Sequence, residues 1–380
     1  MNKPVYLDYN GTTPLDPAVI EAMFPFMQEG FGNPSSSHWY GIAPKKAVAS
    51  AREQVAGLLG CQADEIVFTS GGTESNNYAI LGIAFVNRDR GNHIITSVVE
   101  HPAVLEVCRF LEGEGFRVTY LPVDQFGRVS VLDVEQAITP QTILISIMHA
   151  NNEVGTIQPI AEIAQLARSA GITIHTDAAQ SVGKIPTRVD ELCVDLLSVA
   201  GHKLYAPKGI GALYIRRGVK LRKFILGAGQ ESGRRAGTEN VIGIVGLGKA
   251  CEIAARDLVS NGVHMKTMRD TLHAGISSSL GDKVRMNGHP EERLPNTLSL
   301  SFRDLEANRI LEEIGLDVAA SAGAACHSDH VAVSHVLEAM GVSLQWAKGT
   351  LRFSTGKMTT LDEITLAQKA VSLAVQKLKS

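Results

Sequence analysis

An aspartate and a lysine stand out in this 380-residue chain, because each follows a short apolar run and sits among small residues. Asp177 comes after the run 172–176 and before Ala178 and Ala179; Lys203 comes after the run 194–199, behind Ala200 and Gly201. Both runs read as buried strands. They deliver the two side chains to the same end of one sheet, where α/β folds form their ligand crevice. A lysine there can form an imine with an aldehyde, and a carboxylate can keep a pyridine nitrogen protonated. That pair is what pyridoxal 5'-phosphate needs from a protein. Gln180 is placed to reach the phenolic oxygen of such a cofactor, and His202 its phosphate. A lone Asp or Lys is usually a solvated surface charge; the apolar run before each argues otherwise here.

A second stretch, EIVFTSGGTESNN, reads as strand, glycine turn and helix start. Free backbone N–H groups at such a helix start make an anion site, so Gly72 and Thr73 are candidates for the phosphate. Alone the motif often only caps a helix. It lacks a GxGxxG fingerprint, which disfavours a dinucleotide. His101 ends another strand-like run, placed to stack on the ring and exchange protons. Asn152, in MHANNEVGTIQP, can contact the phenolic oxygen and a substrate carboxylate. Arg352, in GTLRFSTG, ends a strand-like run and can clamp that carboxylate with a bidentate guanidinium.

Of the five cysteines, only Cys326 sits among small and polar residues rather than on an apolar face. Its neighbours His327 and His330 favour the reactive thiolate. The others read as core thiols of a reduced, cytoplasmic protein. A metal-binding protein using Cys326, His327, His330 and His335 is the rival from another class, but C-H-x-x-H-x4-H matches no usual zinc spacing, so no metal is expected.

Composition sets the bounds. With 44% hydrophobic and 20% charged residues, the chain is ordinary globular protein. A net charge of −3 argues against nucleic acid as the main partner, and no apolar run is long enough to cross a membrane. Strands alternate with helices to about residue 215, which predicts a mostly parallel sheet with helices on both faces. Helices are expected over 43–59, 103–112, 131–137, 265–280, 305–314 and 361–378, with another starting at Glu239. The division expected is a large cofactor-binding domain over 14–261 and a smaller α+β domain from 1–13 and 262–380, carrying the cysteine loop.

The ordered motifs LDYNGTT, FTSGGTES, VEHPAV, ANNEVG, HTDAAQ, GHKLYAPKG, RRAGTEN, LPNT, CHSDH and RFS cover nearly the whole chain. In this the sequence resembles the cysteine desulfurases of the NifS/IscS kind, class V aminotransferases of the fold-type I pyridoxal-phosphate enzymes. The resemblance implies an α/β large domain and removal of sulfur from L-cysteine, leaving alanine. Lys203 would hold the cofactor, Cys326 would take the sulfur as a persulfide, and a sulfur-acceptor or iron–sulfur scaffold protein would receive it. It further implies a homodimer in which Thr238 completes the partner's phosphate site. The chain departs from the pattern at Ala200, where many relatives have a phosphate-binding serine, and at Gly11, where alanine is usual and a looser loop is expected. GAACHSD looks more like the selenocysteine lyases, so L-selenocysteine is the alternative substrate.

Overall fold

The computed structural model describes residues 3–323, 326–327, 330–331 and 333–379, with only the backbone described at residues 326, 327, 330 and 331. Strand β1 (Val5–Tyr6) and helices α1 (Pro17–Gln28) and α2 (Trp39–Leu59) precede the main sheet. Asp16 caps α1 by accepting the Ala18 N–H at 2.8 Å, and Pro17 takes the first helical position, where no amide partner is needed. Pro25 lies inside α1.

The main sheet has seven strands: β2 (Ile66–Thr69), β3 (His93–Ser97), β4 (Arg117–Leu121), β5 (Thr142–Ser146), β6 (Thr173–Asp177), β7 (Leu196–Ala200) and β8 (Gly211–Ile215). Their order is β2-β8-β7-β6-β5-β3-β4, parallel throughout except for β8, which runs antiparallel to both neighbours. Most of these strands are buried along their length, as expected when helices cover both faces. The crossovers include α3 (Gly72–Val86), α4 (Pro102–Gly113), α5 (Val131–Ala137) and α6 (Ile160–Ser169). In α6 the spacing of Ile160, Ile163, Ala164 and Ala167 makes one buried stripe against the sheet. At the β2–α3 turn Gly71 has φ +154°, and a Cβ on Gly211 would come within 2.7 Å of the Gly71 Cα. Only glycine suits the first backbone and the second approach.

Helix α7 (Val241–Leu280) is a single 40-residue helix, capped by Asn240, whose Oδ1 accepts the Gly243 N–H. The expected start at Glu239 and the separate helix over 265–280 are parts of this one element. Nothing in the intervening residues breaks a helix, so the change of packing partner occurs without a turn. Leu247, Ala250 and Cys251 join the core of the main sheet, whereas Leu272, Ile276 and Leu280 join a second core. The expected division at residue 261 therefore falls inside a continuous helix.

That second core lies against an antiparallel sheet. Strands β9 (Val284–Asn287) and β10 (Thr297–Phe302) precede α8 (Ala307–Ile314), and β11 (Val318–Ala319) pairs in parallel with β1. Then follow β12 (Ser321–Ala322), β13 (Cys326–His327), β14 (His330–Val331), α9 (His335–Ala339), α10 (Leu344–Ala347), β15 (Thr350–Ser354) and α11 (Leu361–Lys379). The sheet order is β12-β15-β10-β9, while among the described residues β13 and β14 pair only with each other. Val5 and Leu7 from the start of the chain are buried in the same core.

Candidate active site

A cavity of about 270 Å³ opens at the carboxyl ends of the main sheet, lined among others by Gly72, Thr73, His101, Asn152, Asp177, Gln180, His202, Lys203 and Arg352. Nine residues expected from separate motifs therefore meet in one place. Thr238 does not line it; it is exposed in the loop before α7. The side chain of Cys326 lies outside the described residues.

The last residue of β6 is Asp177, buried at 6% exposure. Its Oδ1 accepts the Ala179 N–H at 2.9 Å and its Oδ2 the Asn76 side-chain N–H at 2.6 Å. Each oxygen keeps capacity for one further donor. Lys203 follows β7 in a single turn of 3-10 helix, where its Nζ donates to the Asn10 carbonyl and, at 2.7 Å, to the Gly11 carbonyl. Its pKa is lowered to about 8, first by burial and then by the Arg352 charge, against the opposing pull of Asp8 and Asp177. About one amine in ten is thus unprotonated at pH 7, far more than for an ordinary lysine.

His101 caps α4, with its Nδ1 accepting the Ala103 N–H at 3.1 Å. The proton of its neutral form therefore sits on Nε2. Although the residue is open to solvent at the cavity mouth, its pKa falls below the usual value, with desolvation the largest cause and the Asp177 charge opposing it. His202 donates or accepts at Nδ1 with the Thr12 hydroxyl, and burial lowers its pKa to about 4, so it is neutral.

Gln180 is held at both ends. Its Nε2 donates to the Asn10 carbonyl at 3.0 Å, and its Oε1 accepts from Lys184 Nζ at 2.9 Å. Lys184 is buried, and its pKa lies well below the usual value through desolvation, followed by the Lys203 and Arg352 charges. Arg352 spreads its guanidinium over three acceptors. Nη1 donates to the Asn152 carbonyl at 3.1 Å; Nη2 donates to Asp8 Oδ1 at 2.8 Å and to the Ser321 hydroxyl at 3.0 Å.

Sequence reasoning missed Asn10, Asn76, Asp8 and Lys184. Asn76 carried a faint signal: it lies four residues after Gly72 on the helix that opens at the phosphate turn, and so on a neighbouring face. Lys184 lies four residues after Gln180. Asn10 and Asp8 lie in the LDYNGTT motif, but no role was assigned to them because their partners are remote in sequence. The Gly11 N–H donates to the Asp8 carbonyl at 2.9 Å, and a Cβ at this position would come within 2.3 Å of Asp8 Oδ2.

The residues fit pyridoxal phosphate. Helix α3 opens at Gly71 without a side-chain cap, which leaves first-turn N–H groups for an anion. At the other end of the cavity Asn76 Oδ1 is buried without a partner among the described residues beside the Asp177 carboxylate, a polar end suited to a protonated ring nitrogen.

The aminotransferase class-V family profile matches residues 5–366. A protein named cysteine desulfurase IscS from Dictyoglomus turgidum is 49% identical over 381 residues, spanning 100% of this chain and 96% of its own. One of the same name from Methanosarcina thermophila is 49% identical, spanning 100% and 94%. Among solved structures, a NifS-like protein superposes with a TM-score of 0.92 at 40% identity, covering 98% of this chain and all of its own. SspA in complex with cysteine superposes at 0.83 and 39% identity, covering 94% and 100%. With its lysine, aspartate and arginine gathered at one cavity and its whole length matched, the chain belongs to the class-V aminotransferase family, in its cysteine desulfurase branch.

Proposed function

We propose that this enzyme, a pyridoxal-phosphate-dependent cysteine desulfurase, divides its work among the cavity residues as follows. The observation that carries the assignment is the meeting of Lys203, Asp177 and Arg352 around one cavity. Lys203 holds the cofactor, with Asp177 at the ring nitrogen, Gln180 at the phenolic oxygen, and Gly72, Thr73 and His202 at the phosphate. Bound there, pyridoxal phosphate supplies the electron sink for bond cleavage next to the substrate amine.

The chain's own groups do the rest. Arg352 and Asn152 orient L-cysteine through its carboxylate. Lys203 Nζ, with its lowered pKa, takes and returns the Cα proton. Neutral His101 offers the Nε2 proton toward the cavity. Cys326, as thiolate, attacks the substrate sulfur: an S–S bond forms, the C–S bond breaks, and alanine leaves while the enzyme keeps a persulfide. A sulfur-acceptor protein, such as an iron–sulfur scaffold, then takes that sulfur.

The second part of the reading is a homodimer in which Thr238 reaches the partner's phosphate site. Two features support it. Thr238 is exposed and outside its own cavity, and α1 presents Ile20, Phe24 and Met27 to solvent at i, i+4, i+7. Phe31 and Tyr40, stacked 5.4 Å apart, are exposed as well. The compartment proposed is the cytoplasm: Cys61, Cys108, Cys193 and Cys251 are free thiols, and no helix among the described residues is long and apolar enough to cross a membrane.

The test is Lys203→Ala. The purified variant should lack the visible imine absorbance and form no alanine from L-cysteine. An imine still reducible by borohydride in that variant would show that another lysine holds the cofactor.

A further inference from the structure

Arg352 does not present a free fork to the cavity. A bidentate grip on a carboxylate uses two parallel N–H groups, and both forks of a guanidinium, Nη1 with Nη2 and Nε with Nη2, draw one of them from Nη2. Nη2 spends both of its hydrogens, one on Asp8 Oδ1 at 2.8 Å and one on the Ser321 hydroxyl at 3.0 Å. Neither acceptor lines the cavity, whereas Arg352 and Asn152, whose carbonyl takes Nη1, both do. The Nη2 arm is therefore committed to partners outside the cavity wall, and Nε is buried without a partner among the described residues.

Of the two partners of Nη2, Asp8 is the one that carries charge. It is a carboxylate, like the group the site is read to bind, and its side chain is 25% exposed. Its position depends on a specific absence. A Cβ on Gly11 would lie 2.3 Å from Asp8 Oδ2, 2.9 Å from Cγ and 3.1 Å from Oδ1, and these are the three nearest atoms to it. Gly11 is not in a left-handed conformation, so nothing in its backbone requires glycine. What it supplies is room for the Asp8 carboxylate.

We propose that Asp8 is an internal competitor for Arg352, a specificity-determining residue that holds one arm of the guanidinium until a substrate carboxylate takes its place. The proposal rests on the reading of Arg352 as the carboxylate clamp. Asp8 lowers the affinity of the subsite in two ways. It occupies a donor that a bidentate grip needs, and it sets a negative charge beside the incoming anion. Only ligands whose carboxylate outcompetes Asp8 engage both arms, so amines without a carboxylate gain nothing from its release.

The experiment uses the cofactor-loaded enzyme and two probes, L-alanine and ethylamine, the second lacking the carboxylate. Binding is read from the change in the visible spectrum and by calorimetry. Asp8→Asn keeps the size of the side chain and an acceptor for Nη2 but removes the charge. It should bind L-alanine about five-fold tighter, the scale of a part-exposed ion pair, with ethylamine unchanged. Gly11→Ala, which displaces the carboxylate bodily, should shift L-alanine affinity the same way. L-alanine affinity that is unchanged or weaker in Asp8→Asn overturns the proposal, as does an equal gain for both probes. Arg352→Ala separates the two readings. If it binds L-alanine as well as wild type, the clamp itself is wrong; if it loses L-alanine while Asp8→Asn fails to gain, only the competitor is wrong.

Discussion

Asn76 on α3 donates to Asp177 at the end of β6 across 2.6 Å, a hydrogen bond linking residues 101 positions apart. With the Ala179 N–H on the other oxygen, it fixes the plane of the Asp177 carboxylate before any ligand arrives. A hydrogen bond to a charged group is worth about 1.5–3 kcal/mol. Asn76→Ala should therefore cut kcat for alanine formation by roughly ten- to a hundred-fold, with the chain still folded by circular dichroism. Wild-type turnover in this variant would mean that Asp177 is oriented by its backbone contact alone.

A stability prediction falls on Glu231. This residue sits at φ +50°, unfavourable for a side chain with a Cβ, in the loop that leads to Thr238. Its buried carboxylate accepts Arg52 Nη2 at 2.7 Å, Arg52 Nη1 at 2.8 Å and the Phe68 N–H at 2.9 Å. Glu231→Ala leaves the guanidinium and the amide without their acceptor and should cost about 3 kcal/mol in urea unfolding. A loss of under about 0.5 kcal/mol would show that water replaces the carboxylate fully.

Asp177 and Lys203 were legible in the sequence because the first ends an apolar strand and the second follows one, a local pattern that survives without knowledge of the fold. The same holds for Gly72 and Thr73, where a glycine turn meets a helix start. The contacts of Asn10 were not legible, although the residue lies in LDYNGTT. Its backbone N–H bonds to Ser354 and its side chain to Thr297, 344 and 287 positions away, and the composition of the segment carries no trace of either. Asp8 is hidden for the same reason, since Arg352 stands 344 residues on. The unity of α7 was missed because none of residues 255–264 is buried, so the apolar stripe lapses for ten residues between the half packed in the first core and the half packed in the second.

Burial raises the Glu100 carboxyl to about 8, although Ser97 and the Met148 N–H pull the other way. In the unfolded chain it titrates near 4.5. Between those values the folded state keeps a proton that the unfolded state has lost. Stability should therefore fall as pH rises through that window and level off above it. Glu100→Gln, which imitates the neutral acid, should remove this slope. Urea midpoints at about pH 5 and about pH 9 provide the check, and equal slopes in the two proteins would place the ionised form in the native state.

The proposed dimer predicts complementation. Thr238→Ala protomers should lose cofactor on dialysis, and Lys203→Ala protomers should hold none as imine. In a mixed dimer, one site joins an intact Lys203 to an intact Thr238 from the other protomer. Exchange of the two variants should restore tight cofactor retention at that site, with turnover above either parent. A monomer in sedimentation that is fully loaded and active would end this reading.

Cysteine and selenocysteine share the amine, the carboxylate and the Cα proton, so Lys203, Asp177 and Arg352 should matter equally for both. The two differ at the chalcogen. Sulfur leaves poorly and needs a nucleophile to accept it, whereas selenium can be expelled with less help. Downstream of Cys326, the Ser334 hydroxyl donates to Glu153, and His335 Nε2 donates to the Glu100 carbonyl at 3.1 Å. Cys326→Ala leaves those anchors untouched. It should nearly abolish alanine formation from L-cysteine, by roughly a hundred-fold or more, while keeping substantial activity on L-selenocysteine. Wild-type enzyme incubated with L-cysteine should gain the mass of one sulfur on Cys326. Turnover of selenocysteine without sulfur release from cysteine, and without that mass, would replace the desulfurase with a selenocysteine lyase.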